Sequence, residues 1–252
     1  MNLDHYTPAA GSDGVYETLI VKKEGAIDWV TLNRPESLNS MSRTMMLELQ
    51  HYFGELYVDQ NVRVVILRGA GRGFCAGLDL KEDRADESSG AVTGMRVQRR
   101  VSEIVMRMRR APQPIISLIH GPASGGGFAL ALASDIRIAG PQLRMNAAFI
   151  RIGLTACDVG VSYFLPRLVG SAVASELLLT GRFVDANRAR EIGLVSNVVD
   201  DADLEAAGRS VANEILGNSP IGVRLTKECL NMSVDAGSLE SVIAMEDRQQ
   251  IL

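Results

Sequence analysis

Apolar residues recur along this chain with two different periods. From Tyr16 to Val21 and from Ile27 to Leu32 they alternate or run together around Lys23-Glu24-Gly25, which predicts a β-hairpin. Beyond Ser42 the spacing changes, and Met45, Leu49, Tyr52, Phe53 and Leu56 fall on one helical face. Val62 to Leu67 is short and β-branched, the pattern of a buried strand. A second long helix is predicted through Met95 to Met108, stopping before Pro112 and Pro114. A strand over Ile115 to Ile119 then leads into Phe128-Ala129-Leu130-Ala131-Leu132-Ala133, whose small residues suit a tightly packed buried helix, and Asp135 to Ala139 returns to strand. Farther on, helical patterns dominate. Asp185 and Gly193 bracket a short helix, Ser219-Pro220 opens another, and Ser238 to Ile251 carries the last. The recurrence of strand, strand, helix predicts an α/β fold with strands in stacked layers. Residues 1–14, polar and punctuated by Pro8, Gly11 and Gly14, read as a mobile leader.

Composition narrows the class. Of 252 residues, 46% are hydrophobic and 22% charged, as for a soluble globule with a substantial core. The net charge of −4 and the lack of a basic stripe give no case for nucleic acid as a partner. The three cysteines, Cys75, Cys157 and Cys229, show neither a disulfide framework nor metal-ligand spacing, which fits a reducing compartment. The first residues lack the basic and apolar regions of a signal peptide, and the apolar run at 128–133 is too short for a bilayer. A cytoplasmic protein without a membrane partner is the expectation.

Two glycine-rich loops, each after an apolar run, carry the candidate chemistry: Gly71-Arg72-Gly73-Phe74-Cys75-Ala76-Gly77-Leu78-Asp79-Leu80 and His120-Gly121-Pro122-Ala123-Ser124-Gly125-Gly126-Gly127. Glycine lets backbone N–H groups approach a ligand unhindered, so two such loops side by side can aim two amides at one oxygen. Gly71-x-Gly73-x-x-Ala76 matches a dinucleotide fingerprint, but no strand ending in an acidic residue follows within range. Ser124 between strand and helix has the look of a nucleophile elbow, yet the histidines, His5, His51 and His120, all precede it, which is the wrong order for that triad. His120 is expected to be a satisfied core histidine, and Cys75 and Cys157 buried small hydrophobes.

Five motifs then stand in a recognisable order: Asn33-Arg34-Pro35-Glu36-Ser37-Leu38-Asn39, Phe74 to Lys81, Gly121 to Gly127, Ser134-Asp135-Ile136-Arg137 and Leu165-Pro166-Arg167-Leu168-Val169-Gly170. Together they resemble the crotonase (enoyl-CoA hydratase/isomerase) family over nearly the whole chain from about residue 15. The resemblance implies a crotonase-like spiral of ββα units over 15–195, followed by a C-terminal helical oligomerisation region over 196–252 that builds a homotrimer or homohexamer. It implies an acyl-CoA thioester as substrate and no separate cofactor, coenzyme A entering with the substrate. The backbone N–H groups of Leu78 and Gly126 map onto the oxyanion hole. Ser37, Leu38, Ala76, Asp79, Leu80 and Gly125 map near the bound thioester, with Arg34 and Lys81 as phosphate partners.

Hydratases of this family use two glutamates to place water; the matching positions here are Ala129 and Phe149, which have no carboxylate. One acid remains in the region, Asp158 in Thr155-Ala156-Cys157-Asp158-Val159-Gly160, which resembles the aspartate loop of dienoyl-CoA isomerases and dihydroxynaphthoyl-CoA synthases. Asp158 is therefore the candidate acid/base, and a cap on the helix starting near Val161 is its alternative task. Hydration, double-bond isomerisation, and acyl-CoA binding without catalysis all remain open at this point.

Overall fold

The computed structural model describes residues 16–83 and 91–251; the expected leader and Arg84 to Gly90 lie outside them. β1 (Leu19–Glu24) and β2 (Ile27–Leu32) form the expected hairpin, with Gly25 at φ 60 in its turn. α1 (Arg43–Glu55) begins where the Ser42 hydroxyl accepts the Met45 N–H at 3.1 Å, satisfying one of the orphan amides of the first turn. β3 (Val64–Gly69), α2 (Leu80–Asp83), α3 (Ala91–Arg110) and β4 (Ile115–Ile119) follow. Then come β5 (Pro122–Ser124), α4 (Gly126–Ala133), β6 (Ile136–Ala139) and β7 (Arg144–Asn146). The remainder is α5 (Val161–Val169), α6 (Ser171–Thr180), β8 (Val184–Asp185), α7 (Ala186–Glu191), β9 (Asn197–Val198), α8 (Leu204–Leu216), α9 (Pro220–Ser233) and α10 (Leu239–Ile251). None of the described helices is long and apolar enough to cross a membrane.

The strands form two sheets. The larger has the order β1-β2-β3-β4-β6-β9 and is parallel except for the hairpin; the smaller has the order β5-β7-β8. Successive turns of chain repeat one step: a strand in the large sheet, a short strand in the second layer, then helix, as in β4–β5–α4 and β6–β7–α5. Isolated bridges between Met41 and Leu78 and between Cys75 and Ala123 continue this second layer through the earlier turns. This is the ββα spiral that the sequence resemblance implies.

Period-two alternation divides the large sheet between two cores. Ile27, Trp29, Val64, Ile66, Ile116 and Leu118 face one way and pack against Leu204, Val211 and Ala212 of α8. Val30, Leu32, Val65, Leu67, Ile115 and Ile119 face the other way, into the larger core with α1, α3 and α4. β9 extends the sheet past residue 195, and α8 lies on the sheet, so only α9 and α10 stand apart as a helical arm. That arm is pinned by Lys227, whose buried ammonium donates to the carbonyls of Met108 (3.5 Å) and Gln113 (2.8 Å) and to Asp135 Oδ2 (2.7 Å). Removing one partner of a buried pair typically costs about 3–5 kcal/mol, because the other is left uncompensated. Lys227→Met should therefore lower the unfolding free energy by about 3 kcal/mol in a denaturant titration; a loss below ~1 kcal/mol would show that the arm is held by its apolar contacts alone.

Candidate functional site

The first glycine loop is clasped by residues 34–41. Pro35–Ser37 makes one turn of 3₁₀ helix, after which Leu38 (φ 54) and Asn39 (φ 56) are both left-handed. Asparagine tolerates that conformation; leucine there is unusual and must be held by its surroundings. The Leu38 carbonyl accepts the Ala76 N–H at 2.9 Å, and the fully buried Asn39 binds in three directions. Its Oδ1 accepts the Arg34 N–H (2.9 Å), while Nδ2 donates to the carbonyls of Ala70 (2.9 Å) and Gly73 (2.8 Å). Ser37 closes its own turn through a hydroxyl bond to the Arg34 carbonyl.

Arg34 and Asp79 have work within the protein. Arg34 Nη1 donates to the Ser40 carbonyl (2.7 Å) and to Asp79 Oδ2 (2.8 Å), and Asp79 also accepts the Ser40 hydroxyl and the Lys81 N–H. Burial works to raise the Asp79 carboxyl, but the Arg34 guanidinium, the Lys81 amide and the Ser40 hydroxyl outweigh it and hold the group below the ordinary carboxylate range. Arg34 thus braces the loop from inside. Leu80 and the Lys81 side chain stand exposed at the start of α2.

The two loops meet backbone to backbone. Phe74 N–H donates to the His120 and Pro122 carbonyls, Cys75 N–H to Pro122, and Ser124 N–H to Cys75. A Cβ on Gly127 would lie 2.1 Å from the Cys75 carbonyl oxygen, and one on Gly77 (φ 99) 2.7 Å from that of Ser124 and 3.3 Å from the Gly126 nitrogen. Around Met41 the bridge uses the Gly77 carbonyl and the Asp79 N–H, so the intervening Leu78 N–H points the other way. Among the described residues, neither Leu78 N–H nor Gly126 N–H donates to any acceptor. Gly126 also opens α4, after Gly125 (φ 53), where the helix dipole favours negative charge. Two free amides from adjacent loops, one of them at a helix N-terminus, can together stabilise charge on an oxygen.

The surroundings of these amides are apolar. Ala129 is buried on α4, its N–H bonded to the Gly125 carbonyl, and the Phe149 ring lies within 3.5 Å of where a Gly125 Cβ would stand. Asp158 is half-buried, and its Oδ1 accepts from Gln98 Nε2 of α3 and from the Val159 N–H at 2.8 Å. These contacts tie it to α3; none joins it to either glycine loop. Its side chain does not cap α5, which starts after Gly160 (φ 85) with no side-chain cap. Val159 is left-handed at φ 41, a costly conformation for a β-branched residue, and its N–H is one of the two donors on the carboxylate.

Two expectations need correction. Cys157 is exposed, because its loop leaves the core; Cys75 is buried as expected, and burial pushes its thiol up to about 12, which keeps it un-ionised. His120 is only half-buried, at the rim of the second loop, and its Nε2–H donates to the Gly71 carbonyl at 2.9 Å, joining one loop to the other. Sequence reasoning also missed Asn39 and Gln98. The first had a signal, an asparagine at the end of a Pro-initiated turn; the second lies 60 positions from Asp158 and had none.

Glycine substitutions separate these contacts. Gly127→Ala forces a methyl onto backbone and should cost about 1–3 kcal/mol, whereas at Gly126 the obstructing atom is the flexible Met41 Cε, so Gly126→Ala should cost much less. Thermal melts of the two variants compare them directly. The lowered Asp79 pKa has a pH signature. Its contribution is complete above the unfolded carboxylate value near ~4 and disappears as pH falls through the folded value. Arg34→Met should cost on the order of 2 kcal/mol at neutral pH, and the gap to the parent protein should narrow below about pH 4 in denaturant titrations.

Comparison with known proteins agrees with this fold. A family model described as enoyl-CoA hydratase/isomerase matches residues 22–251. The chain is 42% identical over 226 residues to a protein named probable enoyl-CoA hydratase EchA12 of Mycobacterium tuberculosis, covering 88% of this chain and 79% of that one. It is 35% identical over 237 residues to the 1,2-epoxyphenylacetyl-CoA isomerase of Escherichia coli, covering 94% and 90%. A crystal structure of a monofunctional enoyl CoA isomerase from M. smegmatis superposes with a TM-score of 0.77 at 40% identity, covering 90% of this chain and 98% of that one. The ββα spiral, the paired glycine loops and these similarities place the chain in the enoyl-CoA hydratase/isomerase family.

Proposed function

We propose that this enzyme shifts a carbon–carbon double bond in an enoyl-CoA thioester, with Asp158 as its single acid/base and the Leu78 and Gly126 N–H groups as its oxyanion hole. The observation that carries this reading is the absence of a carboxylate at Ala129 and Phe149 beside the free amides. Addition of water needs one group to strip and aim the water and another to protonate carbon. A double-bond shift needs one group that takes a proton and returns it elsewhere. Asp158 removes a proton from C2 of a 3-enoyl thioester; the electron pair moves into a dienolate whose oxygen is held by the two amides. The same carboxylic acid then protonates C4, leaving the double bond between C2 and C3. The similarity to a structure named as a monofunctional enoyl CoA isomerase is consistent with this outcome.

The Ser37–Leu38 turn and the Ala76 to Leu80 segment are the proposed wall for the pantetheine arm, with the exposed Lys81 as the phosphate contact and Arg34 holding the wall in place. Exposed Leu239, Ile243 and Ile251 on α10 support self-association as a homotrimer or homohexamer.

The test is to incubate the protein with a 3-enoyl-CoA and with crotonyl-CoA in deuterated water. Isomerisation of the first with deuterium uptake, faster than hydration of the second, is expected. Asp158→Asn should slow isomerisation by about 10²–10⁴-fold. An unchanged rate in that variant removes Asp158 from the chemistry. Tight acyl-CoA binding without turnover of either substrate would instead identify a binding protein.

A further inference from the structure

A cavity of about 810 Å³ lies away from the glycine loops, between α9, α5 and the ends of α4 and α3. Its volume falls within the range of small-molecule sites. Apolar side chains form much of the wall, with Val223 and Leu230 along the α9 side. The charges on the wall are unbalanced. Arg109, Arg137, Arg167 and Lys227 line it, with Asp135 the one carboxylate among the lining residues. Asp135 serves both Lys227 (2.7 Å) and Arg109 (3.4 Å), while Arg167 is paired outward with Asp235.

Among the described residues, no carboxylate forms an ion pair with Arg137. It is 8% exposed; its Nε donates to the Leu194 carbonyl and Nη1 to that of Ser134, and Nη2 donates to no acceptor among the described residues. Burial pushes the Arg137 guanidinium down to about 10 and lowers the Lys227 ammonium; Asp135 opposes both shifts, and the neighbouring Arg109 charge adds to both. Crowded cations in a largely apolar wall are relieved by an anion that brings an apolar body with it.

We propose that this cavity is a second ligand site, for an amphipathic monoanion such as a free aliphatic carboxylate, with its head group at Arg137 and Arg109 and its chain along Val223 and Leu230. The proposal rests on this wall alone and is independent of the reaction at the glycine loops.

The test is equilibrium dialysis of the intact protein against labelled decanoate, with saturating coenzyme A present to occupy the thioester site. One saturable site per chain is expected, with decylammonium binding at least tenfold more weakly. Thr226→Trp, which fills the cavity from its exposed side, and Leu230→Glu, which adds a repelling charge at its rim, should each weaken decanoate at least tenfold. Leu230 is 62% exposed, so that variant tests the site even if the tryptophan disturbs packing. No saturable binding up to millimolar decanoate, equal affinity for decylammonium, or indifference to both substitutions would each overturn the proposal. The first of these results is also the one expected if a second copy of the chain covers this face.

Discussion

Everything that positions the candidate site depends on backbone lying directly against backbone where the two glycine loops meet. At Gly127 and Gly121 a Cβ would fall 2.1 and 2.4 Å from a carbonyl oxygen of the facing loop. Contacts this close have little give, because main chain bonded at both ends cannot turn aside as a side chain can. The hydrogen bonds of Phe74, Cys75 and Ser124 lock the approach, and Asn39 anchors the first loop from behind. The amides of Leu78 and Gly126 are consequently oriented before any ligand arrives, so little reorganisation remains to oppose charge stabilisation.

The parts of this architecture that are local in origin were legible in the sequence. Asp185 and Ser219 cap helices as expected, and Ser42 caps the helix expected to follow it, each accepting an N–H from its own first turn. The buried strands and the small-residue helix at 126–133 also follow from pattern. A second layer was expected, but its individual strands were not legible, because β5, β7 and β8 are two or three residues long and owe their existence to partners far along the chain. The same holds for side chains. Nothing around Cys157 distinguishes an exposed loop from a buried one, and the Arg34–Asp79 pair spans 45 positions. In the site, the glycines and the apolar residues at 129 and 149 could be read directly, since they depend on residue type. The brace behind them is a property of three-dimensional closure.

Family membership and reaction are therefore recorded in different residues. The loops and the spiral that carry the first are shared with relatives named for hydration and for isomerisation alike. Under the proposed reading, the second turns on a few side chains: small at 129, aromatic at 149, acidic at 158. Phe149 and Ala129 also make the neighbourhood of the free amides dry, which strengthens any charge interaction made there. Asp158 brings its own apparatus, a strained Val159 and a glutamine from α3, and Oδ1 alone carries both of these bonds. Its second oxygen is thereby the one left to exchange a proton in the proposed reaction.

The free N–H groups of Leu78 and Gly126 have a hereditary consequence. A donor that belongs to the peptide bond is present whatever residue a codon specifies, proline excepted. Point mutation can thus exchange the acids that select an outcome while the amide pair passes unaltered from parent to descendant. Under the proposed reading, such a lineage would diversify in what it does to a thioester long before it ceased to hold one.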